Sequence, residues 1–260
     1  MSSNQRRPAP ALAAALLGAL ALAVVFYCKP LPALEDRALL LSDSTVRVET
    51  GKAGLGFVPA AVSVVAKTTG LVVYGAARVP PEAYAYLARA CAQAGYTAVL
   101  ASTPLNFAIL GPSRAARASL AYPGVARWVI AGHSLGGTAA ASFVAGGAMA
   151  GKTAMAVAGL ILLASYPGRG ADLSTKSLSV VTVGASRDVL VRADKMTAAR
   201  DLLPAGSRYV EIAGGNHAQF GEYGPQSGDG PADIPGPTQR KATIEEVLGL
   251  LDRVEAGAGK

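Results

Sequence analysis

Residues 127–144 hold the pattern that most restricts the fold of this chain: a buried strand, a sharp turn and a helix in direct succession. The apolar run 128–131 is β-branched at its centre and predicts a buried strand, while the small residues of 138–144 favour a helix. Between them, Gly132-x-Ser134-x-Gly136 is typical of a strand-to-helix turn that exposes a serine side chain. The first N–H groups of such a helix are unpaired and can bind an oxyanion, so Ser134 is the candidate nucleophile.

The rest of the chain alternates between short apolar strands and helical patterns. Strands are predicted at residues 46–49, 55–59, 71–74, 96–100, 127–131, 160–163, 178–183 and 209–212. Helices are predicted after Pro81, over most of 105–120, after Ser134, over 192–203, and from a capping box at Thr243. This alternation predicts an α/β fold with a mainly parallel central sheet and helices on both faces. Ligands of such folds bind at the carboxyl ends of the strands.

A serine nucleophile needs a base, and the chain contains only two histidines. His133 adjoins Ser134 within the turn, and its side chain is expected to point away. His217 directly follows a predicted strand and is therefore the candidate general base. Asp188, just past another strand end, is the candidate carboxylate that orients it, so that all three side chains stand at the carboxyl ends of successive strands. Two alternative carboxylates lie in a predicted helix and a third follows no strand: Asp194, Asp201 and Asp172.

An oxyanion hole needs two backbone donors. The N–H of Leu135, directly after the nucleophile, is expected to be one of them. The other is expected from the loop that follows the strand at 71–74, where Ala76 and Ala77 are the two candidates.

The N-terminal region is expected to lie outside the fold. An uncharged run from Ala11 to Cys28 follows two arginines and is about the shortest length that spans a bilayer. The bulky residues 25–28 disfavour cleavage, so the segment is interpreted as an uncleaved signal anchor with the body on the extracytoplasmic side. An exported soluble form is the second choice and a cytoplasmic body the third. Residues 1–37 are thus predicted as anchor and connector, and 38–260 as the catalytic domain.

Composition excludes several other classes of function. The net charge is +7, but no basic stripe is interleaved with aromatic residues, so nucleic-acid binding is not predicted. The two cysteines, Cys28 and Cys91, are too few for a disulfide framework. The chain lacks the usual zinc, phosphate-loop and dinucleotide motifs, so neither metal nor cofactor is expected.

Five segments carry a family resemblance: residues 71–75, 81–84, 104–106, 132–137 and 215–221. Together they resemble the α/β-hydrolase superfamily, and in particular the small bacterial group called α/β-hydrolase family 5, which carries no cap domain. The resemblance covers roughly residues 45–255. It implies a Ser134–His217–Asp188 triad and hydrolysis of an ester-like bond. The chain departs from these relatives at residues 75–78, where they usually show a Pro-Gly or Gly-Gly pair.

These observations predict a serine hydrolase of the carboxylesterase or lipase type that acts on small or exposed acyl esters, with lipid esters as a second choice. Four apolar residues are candidates for an acyl pocket: Leu105, Phe107, Ile109 and Phe220. Two alternatives remain: a non-catalytic binding module of the same fold at the membrane, and an acyltransferase that uses the same triad.

Overall fold

In the computed structural model, the described residues are 29–33, 37–60, 64–147, 149–150 and 153–257. The predicted anchor at 11–28 lies outside them. In the described part of the chain, no helix is both long and apolar enough to cross a membrane. The chain divides into two compact units, Met1–Pro30 and Leu31–Lys260, and the second contains all the helices and strands that follow.

Eight strands form one sheet in the order β1-β2-β4-β3-β5-β8-β9-β10, and β6 and β7 pair separately as a hairpin. The strands are β1 (Val46–Gly51), β2 (Gly54–Pro59), β3 (Thr69–Tyr74), β4 (Thr97–Ala101), β5 (Arg127–His133), β6 (Met149–Ala150), β7 (Thr153–Ala154), β8 (Val157–Leu163), β9 (Ser179–Ala185) and β10 (Arg208–Ile212). Within this eight-stranded sheet, the pairings along β4-β3-β5-β8-β9-β10 are all parallel, whereas β1 and β2 are antiparallel to each other and β2 is antiparallel to β4. The predicted mainly parallel sheet is confirmed.

Helices cover both faces of this sheet. They are α1 (Ala85–Gln93), α2 (Ala116–Ala121), α3 (Leu135–Ala145), α4 (Ala193–Ala198) and α5 (Gly236–Ala256). Successive residues of a strand point to opposite faces. In β5, Val129 and Ala131 accordingly pack in the same core cluster as α1 and α5, and Trp128 and Ile130 pack with α2 and α3 on the other face.

The last helix begins earlier than the capping box suggested. α5 starts at Gly236, directly after the extended Pro235, and Pro237 fits in its first turn because that position needs no N–H donor. Thr243 therefore lies inside the helix, where its hydroxyl donates to the carbonyl oxygen of Gln239 at 2.9 Å. The loop before this helix therefore ends at Pro235.

Two other helical predictions are only partly correct. Residues 104–115 form three short 3₁₀ turns, and only Ala116–Ala121 is α-helical. Leu105 and Asn106 have positive φ angles of 53° and 57°, which a continuous helix does not allow. The helix predicted over 192–203 is shorter, because α4 ends at Ala198 and a 3₁₀ turn follows.

Candidate active site

Ser134 stands on strained backbone between β5 and α3. Its dihedral angles are φ 54° and ψ −125°, in a region that side-chain-bearing residues rarely adopt. The turn is held by the Ser134 N–H, which donates to the carbonyl oxygen of Leu163 at 2.9 Å, and by the Ser165 hydroxyl, which donates to the carbonyl oxygen of Ser134 at 2.6 Å. The turn predicted from Gly132-x-Ser134-x-Gly136 is therefore present, and it leaves the serine half-buried.

The two flanking glycines allow this turn to pack closely. A Cβ atom on Gly132 would lie less than 3.0 Å from the backbone of Gly136. One on Gly136 would overlap the carbonyl oxygens of Tyr74 and Gly75. The N-terminus of α3 thus lies against the end of β3, where the oxyanion loop was predicted.

Asp188 and His217 form a buried pair. The Nδ1 atom of His217 lies 2.8 Å from Oδ2 of Asp188, and both side chains are 1% exposed. The other carboxylate oxygen, Oδ1, accepts the N–H groups of Leu190 and Val191, each at 2.8 Å. With Asp188 ionised, His217 donates from Nδ1, and its Nε2 lone pair is then available as a base. Nε2 is buried and has no hydrogen-bond partner among the residues that the structure describes.

The loop that carries His217 is fixed by side chains from two later segments. The carboxylate of Asp229 accepts the N–H groups of His217 (3.3 Å) and Ala218 (2.9 Å). Gln239 of α5 binds Asn216 twice: its Oε1 accepts the Asn216 N–H at 2.9 Å, and its Nε2 donates to the Asn216 carbonyl oxygen at 2.8 Å. The loop of residues 221–235, which follows His217 and contains three prolines, therefore borders the site through Asp229.

The three predicted side chains follow β5, β9 and β10, but these strands are not all successive. β8 lies between β5 and β9, and Ser165 follows its carboxyl end. The alternative carboxylates are exposed; Asp172 binds Ser174, and Asp194 binds Arg192. Within the described residues, no cluster of three His, Cys, Asp or Glu side chains could hold a metal ion.

The two candidate residues of the oxyanion loop differ in their hydrogen bonding. The N–H of Ala76 donates to the hydroxyl of Tyr84 at 2.9 Å. Among the described residues, no acceptor is found for the N–H groups of Ala77 or Leu135. Ala77 and Leu135 therefore have donors to offer to a ligand, whereas that of Ala76 is already used.

His133 was missed as a part of this site. The expectation that its side chain points away from the serine fits its full burial, but the ring packs against the base: the centroids of the His133 and His217 rings are 4.6 Å apart. Its Nδ1 lies 2.8 Å from the hydroxyl of Tyr84. The alternation along β5 contains the signal, because residues 129, 131 and 133 lie on one face.

A model of the alpha/beta hydrolase family matches residues 70–241, about two thirds of the chain, and this range includes the turn, the buried pair and the oxyanion loop. The chain belongs to the α/β-hydrolase family. No curated protein matches this hydrolase in sequence.

Solved structures similar to this α/β hydrolase include three esterase structures. Esterase B from Lactobacillus rhamnosis, inhibited with a tributyrin phosphonate, has a TM-score of 0.58 and 11% identity and covers 97% of this chain and 98% of its own. A thermophilic esterase from Thermogutta terrifontis with butyrate bound has a TM-score of 0.58 and 13% identity, covering 80% and 94%. The same organism's esterase 2, phosphoramylated by tabun, has a TM-score of 0.56 and 14% identity, covering 82% and 96%. At these identities the likeness shows the shared fold.

Proposed function

We propose that this α/β hydrolase is a serine hydrolase that cleaves carboxylic esters through Ser134, His217 and Asp188. The observation that carries the proposal is the buried pair of His217 and Asp188, which leaves Nε2 of His217 as a free base at the edge of the sheet where the strained turn presents Ser134. A serine on strained backbone, a histidine base and a carboxylate that orients it are the three parts of acyl-transfer catalysis.

In the proposed reaction, Ser134 Oγ attacks the carbonyl carbon and His217 Nε2 accepts the proton from the hydroxyl. Asp188 stabilises the resulting imidazolium. The N–H groups of Leu135 and Ala77 bind the oxyanion, and His217 then donates its proton to the leaving alcohol. Water, activated by the same histidine, attacks the acyl-enzyme and releases the acid.

The surroundings of the site favour small or exposed acyl groups. On the loop after β4, three apolar side chains are about half exposed: Leu105, Ile109 and Leu110. These residues can contact an acyl chain near the carboxyl end of the sheet. Phe220, another candidate for the pocket, is fully buried in the core and contacts the His133 ring at a centroid distance of 5.5 Å. The butyrate of the Thermogutta esterase and the tributyrin phosphonate of esterase B also favour short acyl chains as the first substrates to test.

The test is labelling with a fluorophosphonate, followed by turnover of p-nitrophenyl esters of increasing chain length. Wild-type protein should be labelled, whereas Ser134→Ala should not, and its kcat should fall by about six orders of magnitude. Ser142→Ala is the matched control, because Ser142 lies on the same helix and its exposed hydroxyl donates to the carbonyl oxygen of Thr138. A folded wild-type protein that is not labelled would contradict the proposal and favour a binding module.

Turnover of the same p-nitrophenyl esters with an added alcohol or thiol separates hydrolysis from acyl transfer. An acyltransferase would move the acyl group to an added alcohol or thiol in preference to water, and the product would be a new ester or thioester. A hydrolase should release free acid at the same rate with and without the acceptor.

The proposed location is the extracytoplasmic side of a membrane, with residues 11–28 as anchor. The basis is the uncharged run in the sequence, since these residues lie outside the described structure. The full chain should then sediment with membranes, and a chain that begins at residue 29 should stay in the supernatant. Recovery of the full chain in the supernatant would overturn the anchor.

A further inference from the structure

The hydroxyl of Tyr84 connects the oxyanion loop to the nucleophile turn. Tyr84 is fully buried just before α1. Its oxygen accepts the N–H of Ala76 at 2.9 Å and lies 2.8 Å from Nδ1 of His133, the residue that precedes Ser134. One side chain therefore contacts the backbone of the oxyanion loop and the His133 side chain of the nucleophile turn.

The direction of these hydrogen bonds follows from the number of donors. A phenol has a single proton, and the Ala76 N–H already donates to the Tyr84 oxygen. Burial raises the pKa of Tyr84, so the hydroxyl stays protonated. Burial and the charge of the neighbouring His217 lower the pKa of His133, so its ring stays neutral. If Nδ1 carried the ring proton, the single proton of the buried phenol would have no acceptor among the described residues, so Nδ1 is assigned as the acceptor. The hydrogen bonds thus run from Ala76 to Tyr84 and from Tyr84 to His133.

This arrangement orients the next amide along the chain. The carbonyl of Ala76 and the N–H of Ala77 belong to one planar trans peptide and point in opposite directions. The Ala76 oxygen accepts the N–H of Val79 at 3.1 Å, which turns the Ala77 N–H away from that turn. The two hydrogen bonds of Ala76, one through its nitrogen and one through its oxygen, therefore set the direction of the Ala77 donor.

We propose that Tyr84 and His133 are positioning residues, which hold the Ala77 N–H in line with the carbonyl that Ser134 attacks. This inference rests on the proposed function, because it assumes that an oxyanion forms at Ser134. Neither side chain needs to touch the substrate. His133 has a second contact with the machinery through its ring, which packs on that of His217.

The direct test is Tyr84→Phe, which removes the hydroxyl and keeps the ring. On a p-nitrophenyl ester, kcat should fall about tenfold to a hundredfold with little change in KM, because misplacing a catalytic group by about 1 Å costs up to that factor. Tyr96→Phe is the matched control. Tyr96 is also fully buried, and its hydroxyl donates to Asp252 at 2.5 Å, but it precedes β4 and so lies at the opposite edge of the sheet.

A comparison of oxoester and thionoester substrates identifies the oxyanion hole as the part affected. Sulfur accepts hydrogen bonds weakly, so thionoester turnover depends less on the donors of the oxyanion hole. The ratio of oxoester to thionoester kcat should fall about tenfold in Tyr84→Phe and stay at the wild-type value in Tyr96→Phe. A merely structural role of Tyr84 would lower both rates together and leave the ratio unchanged, which would overturn the inference.

Two variants of His133 keep the inference falsifiable if Tyr84→Phe folds poorly. His133→Asn retains an acceptor near the position of Nδ1, and His133→Leu removes it. The asparagine variant should keep more of the wild-type ratio than the leucine variant; equal ratios in both would overturn the role of the hydrogen bond. A wild-type protein without ester turnover would instead refute the proposed function itself.

Discussion

The orientation of the His217 ring depends on a single carboxylate. In Asp188→Asn, the amide oxygen can still accept the N–H groups of Leu190 and Val191, which places the NH₂ group at the position of Oδ2. That NH₂ group donates to Nδ1 of His217 and favours the tautomer with its proton on Nε2, where the ring cannot act as a base. The expected result is a fall of about four orders of magnitude in kcat with little change in thermal stability.

The matched control for this change is Asp172→Asn, because Asp172 is exposed and its hydrogen bonds within the described residues go to Ser174. Its activity should equal that of the wild type, as measured with the preferred p-nitrophenyl ester. If Asp188→Asn kept most of the activity, another acid would have to support His217, and the buried pair would be structural.

The predicted residues and the missed ones differ in the kind of signal they leave in a sequence. Ser134, Asp188 and His217 were identified because each follows a strand pattern that places it at one edge of the sheet. Tyr84 and Asp229 support the site through hydrogen bonds to distant backbone, and such pairings have no fixed spacing along the chain. The choice between Ala76 and Ala77 was open for the same reason, because it depends on Tyr84.

At the scale of elements, the contact between α3 and the end of β3 leaves no room for an added side chain. Gly136→Ala would push a Cβ atom into the carbonyl oxygens of Tyr74 and Gly75 and displace the helix from the oxyanion loop. We expect a loss of about 1–3 kcal/mol in the free energy of unfolding, together with loss of most activity. Gly170→Ala is the control, since a Cβ atom added there would meet no other atom within 4 Å. Urea unfolding that gives equal stabilities for both variants would contradict this packing.

The last turn of α5 is attached to the start of β3 through one carboxylate. Glu255 accepts the N–H of Thr68 at 3.0 Å, and the N–H and hydroxyl of Thr69 at 2.9 and 2.5 Å. Partial burial acts to raise the pKa of Glu255, but the hydrogen bonds from Thr69 and Thr68 outweigh it and hold the pKa below its ordinary value of 4.5. The ionised carboxylate therefore stabilises the folded state above pH 4.5, and this contribution is lost as the pH falls through the lower pKa of the folded state.

Glu255→Gln tests this linkage. The variant should have a lower Tm than the wild type at pH 7, and the two values should converge as the pH is lowered below 4.5. Glu245→Gln, an exposed site on the same helix, should match the wild type at every pH. A Tm difference between Glu255→Gln and the wild type that does not change with pH would rule out the carboxylate as its cause.

The strands were predicted better than the helices, and the reason is physical. A strand that is covered by helices on both faces, such as β8 or β9, must be apolar on both sides. It therefore appears in the sequence as a short continuous apolar run. The start of α5 was placed too late because it was taken from the capping box at Thr243, although Pro237 is compatible with the first turn of a helix. Most of 105–120 was predicted as helical, because the sequence pattern does not report the positive φ angles of Leu105 and Asn106.

At the scale of the whole molecule, the N-terminal connector contributes to the fold. Leu31 donates its N–H to the carbonyl oxygen of Arg78 at 2.8 Å, next to the oxyanion loop, and its side chain packs against the core. The guanidinium of Arg89 binds the carbonyl oxygen of Leu39 at 3.0 Å and the carboxylate of Asp43 at 2.6 Å. The compact unit thus includes part of the segment that was predicted as anchor and connector.

Two truncated chains test whether the folded domain begins near residue 31 or at residue 38. A chain of residues 29–260 should keep the activity and Tm of the full protein, whereas a chain of residues 38–260 should have a lower Tm and reduced kcat because the contacts of Leu31 are lost. Thermal unfolding and ester turnover measure both effects. Equal values for the two truncated chains would support the boundary at residue 38.

The single tryptophan of the sequence allows unfolding to be monitored by intrinsic fluorescence. Trp128 is 1% exposed, near the start of the strand that ends at the nucleophile turn. Its indole is surrounded by apolar side chains in the folded protein and meets water after unfolding, so its fluorescence maximum should shift to longer wavelength in one step. The strand that presents Ser134 thus carries an intrinsic optical reporter of its own integrity, and no dye or label is needed to check that an inactive variant is still folded.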